Sequence, residues 1–334
     1  AGGTISLSFG EDLFLNAGGR IQSDTGDVTF TPTVFDAADT HIVAFAAGTS
    51  VTTGGSVTFS GTTENGQISL NGALSAGGAV SIEAAASGAN LLVGIDGSLA
   101  AGGAVTIGGT GVTATSVISI GGTVATGAGL TVQGGNSAST IIQASGRSVV
   151  TANGSATITG GTTGNTVIDL SGTLSNLSGT TTISGSTTSG ISTIRLSGLV
   201  SSVGAITVTY GGSGIANVLM SGQTASGAGI SVGNAAATGA LYATFTGGLT
   251  GTGITINGST AADTIQVSVA LTGNATILGN AGEDLFYLKP QAGSLFTIDG
   301  GAGAADTVQI LTSILNIVTA NLTAGPNQLA FRAV

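Results

Sequence analysis

The chain is predicted to be all-β, a single parallel β-helix (β-solenoid) of about 13 coils with roughly 21–29 residues per coil. Three observations predict it. A tripeptide with Ser or Thr between apolar or small residues recurs thirteen times between Ile5 and Ile298 of the 334 residues. A second alternating run follows about ten residues later in many units, and many of the 60 glycines fall in the turns that close these runs.

The tripeptides set the coil length. They are Ile5-Ser6-Leu7, Val28-Thr29-Phe30, Val57-Thr58-Phe59, Val80-Ser81-Ile82, Val105-Thr106-Ile107, Leu130-Thr131-Val132 and Ala156-Thr157-Ile158. They continue as Thr181-Thr182-Ile183, Ile206-Thr207-Val208, Ile230-Ser231-Val232, Ile254-Thr255-Ile256, Ala275-Thr276-Ile277 and Phe296-Thr297-Ile298. Strand side chains alternate faces, so Val105 and Ile107 point inward and Thr106 outward, and the same reading holds in nearly every unit. The second run appears as Ile68-Ser69-Leu70, Val93-Gly94-Ile95, Ile118-Ser119-Ile120, Ile168-Asp169-Leu170, Ile194-Arg195-Leu196 and Val218-Leu219-Met220. The corners that follow call for Gly, either for positive φ or for close backbone approach between coils.

One coil cannot stand alone. Ordering each residue costs about 1–2 kcal/mol, against about 1.5–3 kcal/mol for each buried aliphatic side chain. Stacking on neighbours about 4.8 Å away supplies the difference. The solenoid is expected to be continuous over residues 1–310, with acidic Asp turns in 1–45 and 257–310. Residues 311–334 are expected to form a C-terminal cap or an extra strand. The spacing of Leu311, Ile314, Leu315, Val318 and Leu322 fits a short amphipathic helix, and Ile314 to Val318 also reads as a strand.

Composition removes several functions. With 5 Lys+Arg against 15 Asp+Glu the net charge is -10, and no basic stretch exists to neutralise phosphates, so nucleic acid is not an expected partner. Ser, Thr and Gly interrupt the apolar residues before the roughly 18 needed for a membrane-crossing helix, so no transmembrane segment is expected. An aromatic content of 4% without Trp argues against aromatic girdles of an outer-membrane barrel and against a carbohydrate site built on stacking platforms. The absence of Cys fits an extracellular bacterial protein, and any secretion signal ahead of Ala1-Gly2-Gly3 would have been removed or lie outside the sequence.

Catalytic material is scarce, and no enzyme is expected. His41 is the only His and reads as an outward strand position. Asp96 and Asp169 lie three coils apart, about 14 Å by strand spacing, which exceeds the roughly 5–9.5 Å separating glycosidase carboxyls. Asp169 instead aligns with Arg195 one coil on, as an exposed ion pair worth about 0–1 kcal/mol. The alternative reading is a carbohydrate-binding or polysaccharide-degrading β-helix of tailspike or lyase type; residues 197–262 carry no charge, which disfavours a polysaccharide-cleaving groove. The Ser/Thr column could form an ice-binding face, but the following position varies too much to give a second column; Thr is simply a good exposed strand residue.

The acidic ends carry the most specific pattern. Gly279-Asn280-Ala281-Gly282-Glu283-Asp284-Leu285-Phe286 has the form Gly-x-x-Gly-x-Asp-x-apolar, and Gly10-Glu11-Asp12-Leu13-Phe14 repeats its last five residues. Ala-Asp-Thr recurs at Asp39, Asp263 and Asp306. Asp263, Asp284 and Asp306 should stack, and carboxylates about 5 Å apart repel unless protonated, hydrogen-bonded or bridged by a cation. Calcium is the natural bridge, which makes Asp12, Asp39, Asp263, Asp284 and Asp306 the candidate ligands. These turns resemble the hemolysin-type (RTX) repeat of secreted bacterial proteins, which implies calcium at Asp284 and Asp306. Residues 50–260 look like the β-helical stalks of filamentous-haemagglutinin-type adhesins and autotransporter passengers. That resemblance implies a structural and adhesive protein of the bacterial cell surface, a stalk segment or an end-to-end assembling subunit of a filament or surface layer. Its partners would be itself or adjoining repeats of a longer chain, and cell-surface glycans; no cofactor other than calcium is expected.

Overall fold

A computed structural model describes residues 2–33, 40–60, 65–83, 90–109, 114–136, 139–269, 271–289, 295–302, 306–310 and 330–333. The chain is a parallel β-solenoid, and the described residues contain no helix. Every strand pairing is parallel, as expected when each strand meets its counterpart one coil later. Two sheets result, of 22 and 14 strands.

The coil has three faces. The tripeptide strands form the first, and their central residues make one unbroken ladder from Ser6 through Thr106 and Thr182 to Thr297. Its thirteen rungs are the thirteen tripeptides, yet complete turns number about 11. Thirteen rungs bound only twelve intervals, and the coil after Thr297 runs into positions outside the described residues. The second face begins at Leu13–Leu15 and Thr40–Phe45 and is the 14-stranded sheet. The third begins at Arg20–Ser23 and Ser50–Thr53. First and third faces join in one sheet because Leu249–Asn257 and Leu271–Leu278 each run through both.

The core is a stack of aliphatic rungs. Val105, Ile107, Ile118, Leu130, Ile183, Val208 and Ile256 are at most 1% exposed. Toward the N-terminal end aromatic rings replace them: Phe30 and Phe59 stack with centroids 4.7 Å apart, and Phe45 meets Phe30 edge-on at 5.4 Å. Thr181 occupies an inward aliphatic position and is fully buried, where its hydroxyl accepts from Asn176 Nδ2 at 3.3 Å.

Hydroxyls tie the corner after the third face. Ser23, Thr126, Ser202 and Ser226 donate to Gly3, Gly103, Gly179 and Gly204 carbonyls one coil back, at 2.7–2.9 Å. At the corner between second and third faces, glycine is needed for close approach: a Cβ on Gly97 would lie 1.9 Å from the Gly72 carbonyl oxygen, and one on Gly222 would lie 1.9 Å from that of Gly198. Neither glycine has positive φ, so coil contact, and not left-handed backbone, explains these corners.

Two expectations change. His41 is buried at 4% exposure, because the inward set of its strand is His41, Val43 and Phe45; its Nδ1 lies 2.9 Å from the Glu11 carbonyl oxygen. Arg195 does sit beside Asp169 in register, but their side chains close no ion pair. Of the C-terminal segment, Ala330–Ala333 pairs in parallel with Thr307–Ile310, while the expected helix or strand over 311–322 lies outside the described residues.

Candidate functional site: a buried column at the entrance to the second face

The residue that opens each strand of the second face points inward, and these positions stack. In order along the rod they include His41, Gly66, Leu91, Ser116, Thr140, Thr166, Ser192, Ala216 and Leu241, followed by Asp263, Asp284 and Asp306. The middle of the column is therefore hydroxyl and the C-terminal end is carboxyl. All three carboxyls are buried, at 2%, 1% and 3% exposure.

Glycine makes the room. A Cβ on Gly258, Gly279 or Gly300 would lie 2.3, 2.1 or 2.2 Å from the Oδ2 of Asp263, Asp284 or Asp306 respectively. The same relation holds upstream, where a Cβ on Gly160 would strike Thr166 and one on Gly185 would strike Ser192. Thr166 accepts from the N–H of Gly161 at 3.1 Å, and Ser192 accepts from that of Ser186 at 2.9 Å. Thus these Gly-to-Asp turns are the acidic version of a Gly-to-hydroxyl turn already present in mid-chain.

The carboxylates also splice the sheet. In the regular ladder the opening N–H of one coil donates to the preceding carbonyl of the next, as Ser192 does to Ile215. At the C-terminal end a side chain takes that acceptor's place: Leu241 N–H donates to Asp263 Oδ1 at 2.6 Å, Asp263 N–H to Asp284 Oδ1 at 2.9 Å, and Asp284 N–H to Asp306 Oδ1 at 3.0 Å. Asp263 also accepts from the N–H and hydroxyl of Ser259. These are the coils in which the tripeptide spacing contracts to 21, so a side-chain oxygen stands in where the shortened turn omits a carbonyl.

Charge is handled by burial and hydrogen bonds together. Burial raises the Asp263 carboxyl, and its N–H and hydroxyl donors partly offset this. Asp284 is pushed up to about 7, first by burial and then by the carboxylates of Asp263 and Asp306, against the lowering effect of the Asp263 N–H. Its Oδ2 is buried without a hydrogen-bond partner, which costs the neutral acid less than the carboxylate. Tyr210, 2% exposed with an unpartnered hydroxyl, is raised above the usual phenol range by burial and by Asp263.

The candidate calcium ligands thus separate. Asp263, Asp284 and Asp306 come together as expected, but inward, with an oxygen of each engaged by a backbone N–H. Asp12 is exposed and accepts from the Ile42 N–H at 3.0 Å. Asp39 lies outside the described residues. Calcium takes six to eight oxygens, and among the described residues no group of three or more His, Cys, Asp or Glu is arranged to hold a metal ion. The hydroxyl part of the column escaped the sequence reading, though its signal was present: a Gly six or seven residues before the inward Thr or Ser. No protein-family model, no curated protein and no solved structure matches the chain.

Proposed function

We propose that this chain is a structural and adhesive rod of the bacterial cell exterior, a stalk segment or an end-to-end assembling subunit of a surface filament or layer. The observation that carries the reading is the unbroken thirteen-rung ladder with a continuous apolar interior, an arrangement whose stability grows with each added coil. Strand Ile5–Phe9 pairs on one side only, offering an edge that another coil or another copy can extend. The low charge and the Ser/Thr-rich first face suit a durable surface with little electrostatic steering, and the absence of Cys suits the extracellular setting.

Asp263, Asp284 and Asp306 are buried on N–H groups and Asp96 and Asp169 stand three rungs apart, so neither set supports a catalytic reading. The resemblance of the acidic turns to RTX repeats keeps calcium as a question for experiment. Electron microscopy of the purified chain is expected to show rods joined into fibres; discrete short particles at all concentrations overturn the assembly reading. Melting with calcium and then with chelator tests the acidic column, and an unchanged transition removes the metal.

A further inference from the structure

We infer that the outward face of the 14-stranded sheet binds a neutral glycan chain, centred on Arg195, Asn217 and Tyr242. The inference rests on the adhesive reading only in naming what the rod would adhere to; the residues that carry it are different.

Register places six outward side chains on three adjacent rungs: Thr193 and Arg195, Asn217 and Leu219, Tyr242 and Thr244. Together they line a shallow, open concavity of about 390 Å³. Rungs lie about 4.8 Å apart and outward neighbours along a strand about 6.8 Å apart, so the patch spans about 10 by 7 Å, the footprint of a short oligosaccharide. The polarity of the face changes here. Outward positions in Tyr242's column are Leu92, Val117, Ile141 and Val167 on earlier coils, then Thr193 and Asn217. In the neighbouring column Gln143 and Asp169 precede the patch, and Gln266, Tyr287 and Gln309 continue beyond it. The track from Gln143 to Gln309 covers eight rungs, about 34 Å.

The chemistry fits sugar hydroxyls, each of which donates and accepts. Asp169 only accepts, Arg195 only donates, and the amides do both. Because Asp169 and Arg195 close no ion pair with each other, both headgroups remain available. Tyr242 is 46% exposed and Leu219 37% exposed, giving the C–H face of a pyranose an apolar surface beside those polar groups. The chain has only three tyrosines; Tyr210 is in the core, and the other two lie on this face. The third face differs over its middle coils: the outward residues Ser75, Ala100, Ala125, Ser175, Ser201 and Ala225 offer neither ring nor amide, whereas Gln22 at the N-terminal end of that column is an amide. Rung spacing close to the length of one sugar residue lets a chain laid along the axis meet one rung per residue. The net charge of -10 and Asp169 itself select against polyanionic chains.

The test is calorimetric binding of the full chain to a neutral glucan, mannan and galactan, with polygalacturonate as the anionic control. A neutral polymer is expected to bind, and Tyr242→Ala and Arg195→Ala each to weaken it about tenfold. Thr106→Ala on the first face should leave it unchanged. Circular dichroism and melting should not move, since both residues are exposed. Binding to none of the polymers, preference for polygalacturonate, or indifference to Tyr242→Ala overturns the inference. Microscopy of the same variants separates the two readings: rods that form fibres but bind no sugar defeat this inference alone, and sugar binding without fibres defeats only the assembly.

Discussion

The same five residues, Gly-Glu-Asp-Leu-Phe, occur at Gly10–Phe14 and at Gly282–Phe286 and present opposite faces to the core. Near the N-terminal end Leu13 stacks on the inward Val43, leaving Phe14 57% exposed and Asp12 in solvent. Near the C-terminal end Phe286 stacks on the inward Ile265, is fully buried, and carries Asp284 into the core column with it. The cause lies just beyond the repeat. Leu15-Asn16 favours Leu13 and Leu15 inward, whereas Tyr287-Leu288 favours Phe286 and Leu288 inward, and a slip of one residue exchanges every side chain between faces. A carboxylate's chemistry here follows from the parity of its strand, not from the motif that contains it.

The comparison can be broken most severely at the phenylalanines. Phe286→Ala is expected to cost about 3–5 kcal/mol, and Phe14→Ala less than about 0.5 kcal/mol. Denaturant unfolding with hydrogen exchange over Leu285–Leu288 would measure both, and equal losses would refute the face assignment. Next comes the room made for the carboxylate. Gly279→Ala should destabilise by about 1–3 kcal/mol through overpacking against Asp284, and adding Asp284→Ala should recover part of that loss. Additive losses in the double variant would show that the two residues do not compete for space.

Proton linkage gives a third contrast. Asp284 titrates near about 7 when folded, above the roughly 3.9 of an unfolded aspartate. The folded chain therefore holds the proton more tightly. Its stabilising effect is complete below the unfolded value and is lost as the pH rises through about 7. Melting at pH 5 and pH 8 should differ by on the order of 2 kcal/mol. Asp284→Asn should remove most of that difference; a pH response that survives Asp284→Asn would place its origin elsewhere. The smallest effect concerns parity itself. Changing Leu15→Tyr and Asn16→Leu should turn Phe14 inward, so that a Phe14→Cys probe reacts with maleimide in the parent chain and is protected in the altered one.

Much of this was legible beforehand, for a physical reason. Inward and outward positions alternate within a strand, and the tripeptides carried that alternation through all thirteen rungs, so fold, ladder and the stacking of Asp263, Asp284 and Asp306 could be read. The corners could not. At Thr166 and Ser192 the inward residue is polar because it sits where a turn leaves N–H groups to be met, while the hydroxyls of Ser116 and Thr140 in the same column are buried without a hydrogen-bond partner; polarity alone points to the outer surface at all four. His41 was misassigned for the same reason. The track around Tyr242 needed register across coils, since its members are spaced about two dozen residues apart in sequence.

The parallel ladder has a mechanical consequence. Its strands lie across the rod and its hydrogen bonds run along it, so a pull on the two ends loads the bonds between successive coils in series. An end coil has a neighbour on one side only and is the first to peel. Each coil of about 25 residues that comes away releases about 80 Å of extended chain in exchange for about 4.8 Å of rod. Under load such a rod lengthens coil by coil and dissipates work before it parts.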